Sequence, residues 1–180
     1  MSLTDVVVPD SVTVIDELAF GYCTSLKYVK LPKALTTIGA QAFRQTAIKK
    51  IEIPKSLKKC LANIDYFGND KCTYDGVTYQ LQRGPFYLCK NLKDVSFEEG
   101  TTKVAEYLFA GCTGLEKIEL PDTVNEIGEC AFHGCLRLTG IVIPDSVESM
   151  WNNVFENCAS LVSVKLPAKR MNIGAKMFFG

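Results

Sequence analysis

The chain has 180 residues, with 20 basic and 20 acidic side chains and 47% apolar residues. This is an ordinary globular composition, long enough for one domain with a real core. Zero net charge removes the sequence-independent attraction on which nucleic-acid binders rely. No apolar run approaches the roughly 18–20 residues needed to span a bilayer, and no basic-then-apolar signal segment opens the chain. The expectation is a soluble protein with no nucleic-acid partner and no membrane insertion.

Internal repeats organise everything else. Pro9 and Pro32 lie 23 residues apart, Pro54 follows 22 later, and Pro121, Pro144 and Pro167 again keep a spacing of 23. Phe20 and Phe43 keep the same interval, as do Phe86, Phe109, Phe132, Phe155 and Phe178. The unit from Val8 reads VPDSVTVIDELAFGYCTSLKYVK, and the one from Ile143 reads IPDSVESMWNNVFENCASLVSVK. Between Pro54 and Glu98, which takes the proline's place, lie two intervals of 22. CLANIDYFGNDKCTYDGVTYQLQRG, inside that stretch, fits the pattern poorly. The count is therefore about eight repeats of 22–23 residues in one domain over 1–180, degenerate or inserted near 58–85. The alternative is seven turns with an insertion of roughly twenty residues, a length unusual for a loop.

Within a unit, the run from Leu26 to Leu31 ends in apolar–polar alternation, the mark of a half-buried strand, and Pro32 closes it. The next segment places apolar residues at helical spacing, as at Val124, Ile127, Ala131 and Phe132, with Asp122 or Thr123 as a cap. Each unit is thus predicted to be a short strand plus a helical return. It is too small to bury its own apolar face, so neighbours must stack into a solenoid. The chain opens inside a strand-like stretch and stops part-way through a unit at Met177-Phe178-Phe179-Gly180, which points to a fragment of a longer array.

The IPDSV…I…AF…C.sL..V pattern resembles the BspA-type, or Treponema-pallidum-type, leucine-rich repeat. The likeness covers residues 6–52 and 86–180 closely. It implies an α/β solenoid, a right-handed leucine-rich-repeat horseshoe with a parallel concave sheet; the helical returns then fall on the convex side as short helices. It also implies surface or secreted proteins of bacteria and some mucosal protozoa, where such repeats serve adhesion and protein binding.

Eight cysteines invite a disulfide or metal reading. Five of them, Cys23, Cys89, Cys112, Cys135 and Cys158, share one repeat position, so they should form a structural ladder of small buried residues whose thiols reach turn carbonyls. Cys60, Cys72 and Cys130 lie off the ladder, and Cys60 and Cys72 could pair across the degenerate stretch. One histidine and no C-x-x-C argue against zinc, and no cofactor motif is present. His133 occupies a place that other units fill with Gly21, Arg44, Tyr87, Ala110 or Glu156, so a partly exposed surface histidine is expected. No catalytic residues are assigned, and Trp151 is expected to cover the helical side.

Binding would use the outward positions of the strands: Tyr28, Lys30, Lys50, Glu52, Asp94, Lys117, Glu119, Val142 and Lys165. Lys27, Lys49 and Lys93 flank them as a mildly basic column. Tyr28 and the Gly140–Val142 patch are the better anchors. The leading expectation is a non-catalytic scaffold docking a host or matrix protein at a cell surface, or further repeats of its own array. The alternative is a cytoplasmic assembly scaffold, suited by so many unpaired-looking cysteines.

Overall fold

The structure is a computed structural model that describes residues 2–63, 72–79 and 81–180, with only the backbone at Cys72, Tyr74, Val77 and Tyr79. The repeats wind into stacked coils. In each, a turn beginning at the repeat proline is closed three residues later, as where the Val124 N–H donates to the Pro121 carbonyl at 3.0 Å. The adjoining hydroxyl ties the turn backward: Ser56, Thr123 and Ser146 donate to Leu35, Thr101 and Val124 carbonyls one coil earlier. Glu98 opens the same turn, since its carbonyl receives the Thr101 N–H at 3.1 Å.

Two parallel ladders run along the stack. The first pairs Asp5–Val7 with Tyr28–Lys30, Lys50–Ile53 with Asp94–Phe97, and Gly140–Val142 with Ser163–Lys165. The second is built from two-residue strands: Val14–Ile15, Thr37–Ile38 and Lys59–Cys60, then Lys103–Val104, Glu126–Ile127, Ser149–Met150 and Asn172–Ile173. Alternation in the first ladder turns Val29, Ile51, Ile118 and Ile141 inward, where they are buried beside Leu26, Leu92, Leu115 and Leu138.

The predicted convex helices are not there: no helix occurs among the described residues. The segment from Cys130 to Cys135 shows why. Cys130, Phe132 and Gly134 donate their N–H groups to Asn152, Val154 and Glu156 of the next coil at 2.8–3.1 Å. The intervening Ala131, His133 and Cys135 donate three residues back, to Gly128, Cys130 and Phe132. A helix would direct every donor along its own axis. Here alternate donors leave for the neighbour, and positive φ at Cys130 (53°) and Gly134 (66°) turns the chain between them. Apolar spacing alone does not separate this zigzag of turns from a helix, because both return a side chain to the core every three or four residues.

The phenylalanines form a continuous column, with successive rings stacked at centroid distances of 5.2–6.0 Å from Phe20 to Phe178. The column holds seven rings, one from each phenylalanine-bearing coil, as in the seven-turn alternative. Phe43 stacks directly on Phe86, Lys50 pairs directly with Asp94, and the Phe43 N–H donates to the Pro85 carbonyl at 2.9 Å. No further coil fits between those partners. The described ends of the poorly matching stretch, here called the excursion, meet at an antiparallel bridge between Asn63 and Arg83. The excursion contains an antiparallel hairpin of Cys72–Tyr74 and Val77–Tyr79. Asn63 is fixed to the first two coils, accepting from Gln41 at 3.0 Å and donating to Glu17 at 2.7 Å. On the return, Leu81 packs with Tyr87 and Leu136. Gly111 and Gly134 make room for it: a Cβ on Gly134 would stand 2.6 Å from Leu81, and one on Gly111 would stand 2.8 Å from the Gln82 carbonyl.

Because each ring inside the column is fully buried between two others, loss of one leaves a cavity the coils cannot collapse. Phe109→Ala is expected to cost about 3–5 kcal/mol. Phe178→Ala should cost far less, since Phe178 is 54% exposed with a single stacked neighbour. Urea unfolding midpoints of the two variants check this.

Candidate functional site

The first ladder presents its outward positions to solvent. Tyr28, Lys30, Lys50, Glu52, Asp94, Lys117, Glu119, Val142 and Lys165 are all exposed. They lie on successive coils, and where the strands pair the separation is roughly 4.8 Å. Lys117 and Glu119 stand on an extended segment without ladder pairing, yet the neighbouring Ile118 and Leu120 are buried, so the alternation persists there. Apolar side chains interrupt this polar face at several places: Val7 is 65% exposed, Tyr28 49%, Val142 59% and Val162 87%.

The face has internal electrostatics that sequence spacing did not reveal. Register sets Lys50 opposite Asp94, and the two pair at 3.3 Å. Lys93 reaches Glu116 on the next coil at 2.7 Å, and Arg137 approaches the same carboxylate at 3.6 Å. The Lys93 ammonium holds the Glu116 carboxyl below its usual range. The expected basic column is therefore neutralised at Lys93 and remains basic at Lys27 and Lys49, which form no ion pair among the described residues. Exposed pairs of this kind contribute little to stability; they matter by deciding which charges stay available.

Of the ladder cysteines, Cys89, Cys112, Cys135 and Cys158 are buried and Cys23 is half-buried, and all are free thiols. The thiols of Cys89, Cys135 and Cys158 lie 3.0, 3.3 and 3.1 Å from the carbonyls of Phe43, Phe109 and Phe132 on the preceding coil. Thr46 takes the cysteine's place in the second coil and touches the Cys89 sulfur at 3.4 Å. Burial pushes the Cys89 thiol up to about 11 and Cys158 to about 12, and raises Cys112 and Cys135 well above the ordinary range. Such groups stay protonated and inert. Cys130 is also raised to about 12, by burial and by Glu129 and Glu156. Cys60 is a free buried thiol, and the side chain of Cys72 lies outside the described residues, so the Cys60–Cys72 pairing does too. Among the described residues, no group of three or more His, Cys, Asp or Glu side chains is placed to hold a metal ion.

His133 departs from the sequence expectation: it is 3% exposed. The excursion covers it on its return, and the Gln82 N–H donates to its Nδ1 at 3.4 Å. Its Nε2 lies 3.7 Å from Glu156. Trp151, expected to act as a cover, is instead 54% exposed, with its indole N–H donating to Glu126 at 3.0 Å.

Burial lowers the His133 pKa from its ordinary 6.5, with Glu156 opposing part of the effect. The folded chain therefore takes up this proton less readily than the unfolded chain. The stabilisation is present above the unfolded pKa and is lost as pH falls from there through the lower folded pKa. Going from pH of about 7.5 to about 5.5, the thermal midpoint should fall more in the native chain than in His133→Gln. Equal slopes would show that His133 is not the responsible group.

A family model described as "BspA type Leucine rich repeat region" matches six copies over residues 1–69 and 80–180. No curated protein matches the chain. Among solved structures, a leucine-rich repeat protein from Bacteroides ovatus is 30% identical with a TM-score of 0.64, over 99% of this chain and 46% of its own. The chain thus spans less than half the length of that protein. A leucine-rich repeat protein of Treponema pallidum is 22% identical with a TM-score of 0.48, over 97% of this chain and 74% of its own. A leucine rich cell surface protein from Faecalibacterium prausnitzii is 24% identical with a TM-score of 0.43, over 93% and 61%.

Proposed function

The chain belongs to the BspA-type leucine-rich repeat family, and from that premise we propose that it is a non-catalytic scaffold that docks a protein through the outward face of its long-strand ladder. The observation that carries this reading is the interruption of a polar strand face by exposed Tyr28, Val142 and Val162. Apolar and aromatic spots on an otherwise polar surface are where binding free energy concentrates. Backbone bonds from coil to coil hold those side chains at fixed spacing, so little ordering entropy is lost on docking.

The partner is a host or matrix protein and the setting a bacterial surface, a proposal supported by the family resemblance. A cytoplasmic assembly scaffold is the second reading, favoured by the seven free thiols among the described residues. Their burial weakens that argument. Thiols held protonated inside the stack react slowly with oxidants in either compartment.

The test is to titrate the purified chain against a panel of matrix and serum proteins, with a Tyr28→Ala/Lys117→Glu double variant beside it. The expected result is saturable binding to a matrix or serum protein, weakened at least about tenfold in the variant. Binding that ignores the variant overturns docking through the face. Binding confined to intracellular proteins, and still dependent on the face, moves the function to the cytoplasmic scaffold.

A further inference from the structure

The strand face is electrically uneven in a chain whose charges cancel overall. Lys27, Lys30, Lys33, Lys49 and Lys50 border one groove of about 470 Å³, against two carboxylates in its lining, Glu52 and Glu98. Glu98 is already engaged, accepting the Lys55 backbone N–H at 3.1 Å and facing the Lys55 ammonium at 3.9 Å. Lys50 is paired with Asp94. The other four lysines have no ion-pair partner among the described residues. Lys27 and Lys49 stand at the same place on successive coils and line the same groove, and their like charges repel.

Beneath these charges the groove is apolar, floored by Val29, Leu31, Ile51 and Pro54, with the Tyr28 ring beside it. Farther along the same face a second groove surrounds Gly140, Val142 and Val162, and its charges balance: Lys117 and Lys165 against Glu119 and Asp122. The face therefore changes from basic over an apolar floor to neutral and apolar.

We propose that the lysine-rich groove receives an acidic segment of the partner polypeptide. It lies along the stack with its carboxylates on Lys27, Lys30, Lys33 and Lys49 and its apolar residues continuing toward Val142 and Val162. This rests on the docking reading above. A polypeptide is favoured over a sulfated polysaccharide because only the former offers anionic and apolar side chains in succession, matching both grooves. Lysine ammonium groups act here as hydrated point charges, which steer an acidic chain onto the face and fix its direction.

The test uses a fluorescein-labelled oligo-glutamate peptide, with a heparin oligosaccharide as a second arm, followed by anisotropy at about 50 and 200 mM salt. The expected result is peptide binding that weakens with salt and falls at least about tenfold in Lys27→Glu/Lys49→Glu. A Lys90→Glu/Lys169→Glu control carries the same charge change on exposed lysines outside the groove and should bind nearly as the native chain does. Equal loss in the control, absence of peptide binding, or binding of heparin alone would each overturn the proposal. The panel titration keeps the two readings distinct. A partner that needs Tyr28 and Lys117 while the peptide ignores the groove removes the acidic segment alone. A partner indifferent to the face removes the docking surface itself.

Discussion

Coil-to-coil donation by alternate backbone amides is the constraint on which the rest of this structure depends. In the segments around Phe20, Phe43, Phe109, Phe132 and Phe155, one N–H in two leaves its own coil for a carbonyl of the next, as from Phe20 to Ala42 at 2.7 Å and from Phe109 to Ala131 at 2.9 Å. The remaining donors close turns within the coil. Nothing is left over to form a helix, and no coil can satisfy its backbone without a neighbour. Stacking also buries the phenylalanine column and brings the ladder thiols onto carbonyls, so backbone, core and cysteine ladder are consequences of one register. That interdependence is the physics of a quasi-one-dimensional fold, in which each repeat is stabilised chiefly by the ones beside it.

The same register determines what the surface can do. Side chains that alternate outward on Lys50–Ile53 and Asp94–Phe97 are held opposite one another by pairing, which forces the Lys50–Asp94 contact and leaves Lys27, Lys30, Lys33 and Lys49 facing solvent together. A charge cluster in a neutral chain is thus a product of coil stacking and not of composition. The two ends of the excursion, Asn63 and Arg83, meet at one bridge, and the stack runs on from Phe43 to Phe86. The two anchors of the excursion differ in kind. Polar contacts from Asn63 hold the start, and apolar packing of Leu81 over two glycine-bearing coils holds the return.

Much of this was legible in the residues. The proline and phenylalanine intervals define the coils, and strand alternation picks out the exposed face from Tyr28 to Lys165, because period two and period twenty-three are direct imprints of backbone geometry. Three features were not legible, each for its own reason. The convex turns carry apolar residues at helical spacing, and their left-handed residues include Leu18, Tyr107 and Cys130, which carry no local signal for positive φ. The coil count depends on whether Phe43 meets Phe86 directly, as it does here; their interval of 43 is nearly two periods, so arithmetic alone does not separate the two counts. The burial of His133 depends on Leu81 and Gln82 crossing from a distant part of the chain, and repeat position says nothing about that. The poor match of the 58–85 stretch was the available warning.

Hydrogen exchange followed by mass spectrometry tests the central claim most directly, because it reads the inter-coil amides themselves. If alternate donation builds the stack and the excursion lies outside it, segments holding Phe43, Phe86, Phe109 and Phe132 should exchange late and together, on both sides of the excursion. The hairpin of Cys72–Tyr74 and Val77–Tyr79, which pairs with no other strand among the described residues, should exchange early. Late exchange across the hairpin, matching the phenylalanine segments, would mean that the stretch forms a packed coil. That result would contradict the seven-coil register and the direct contact of Phe43 with Phe86.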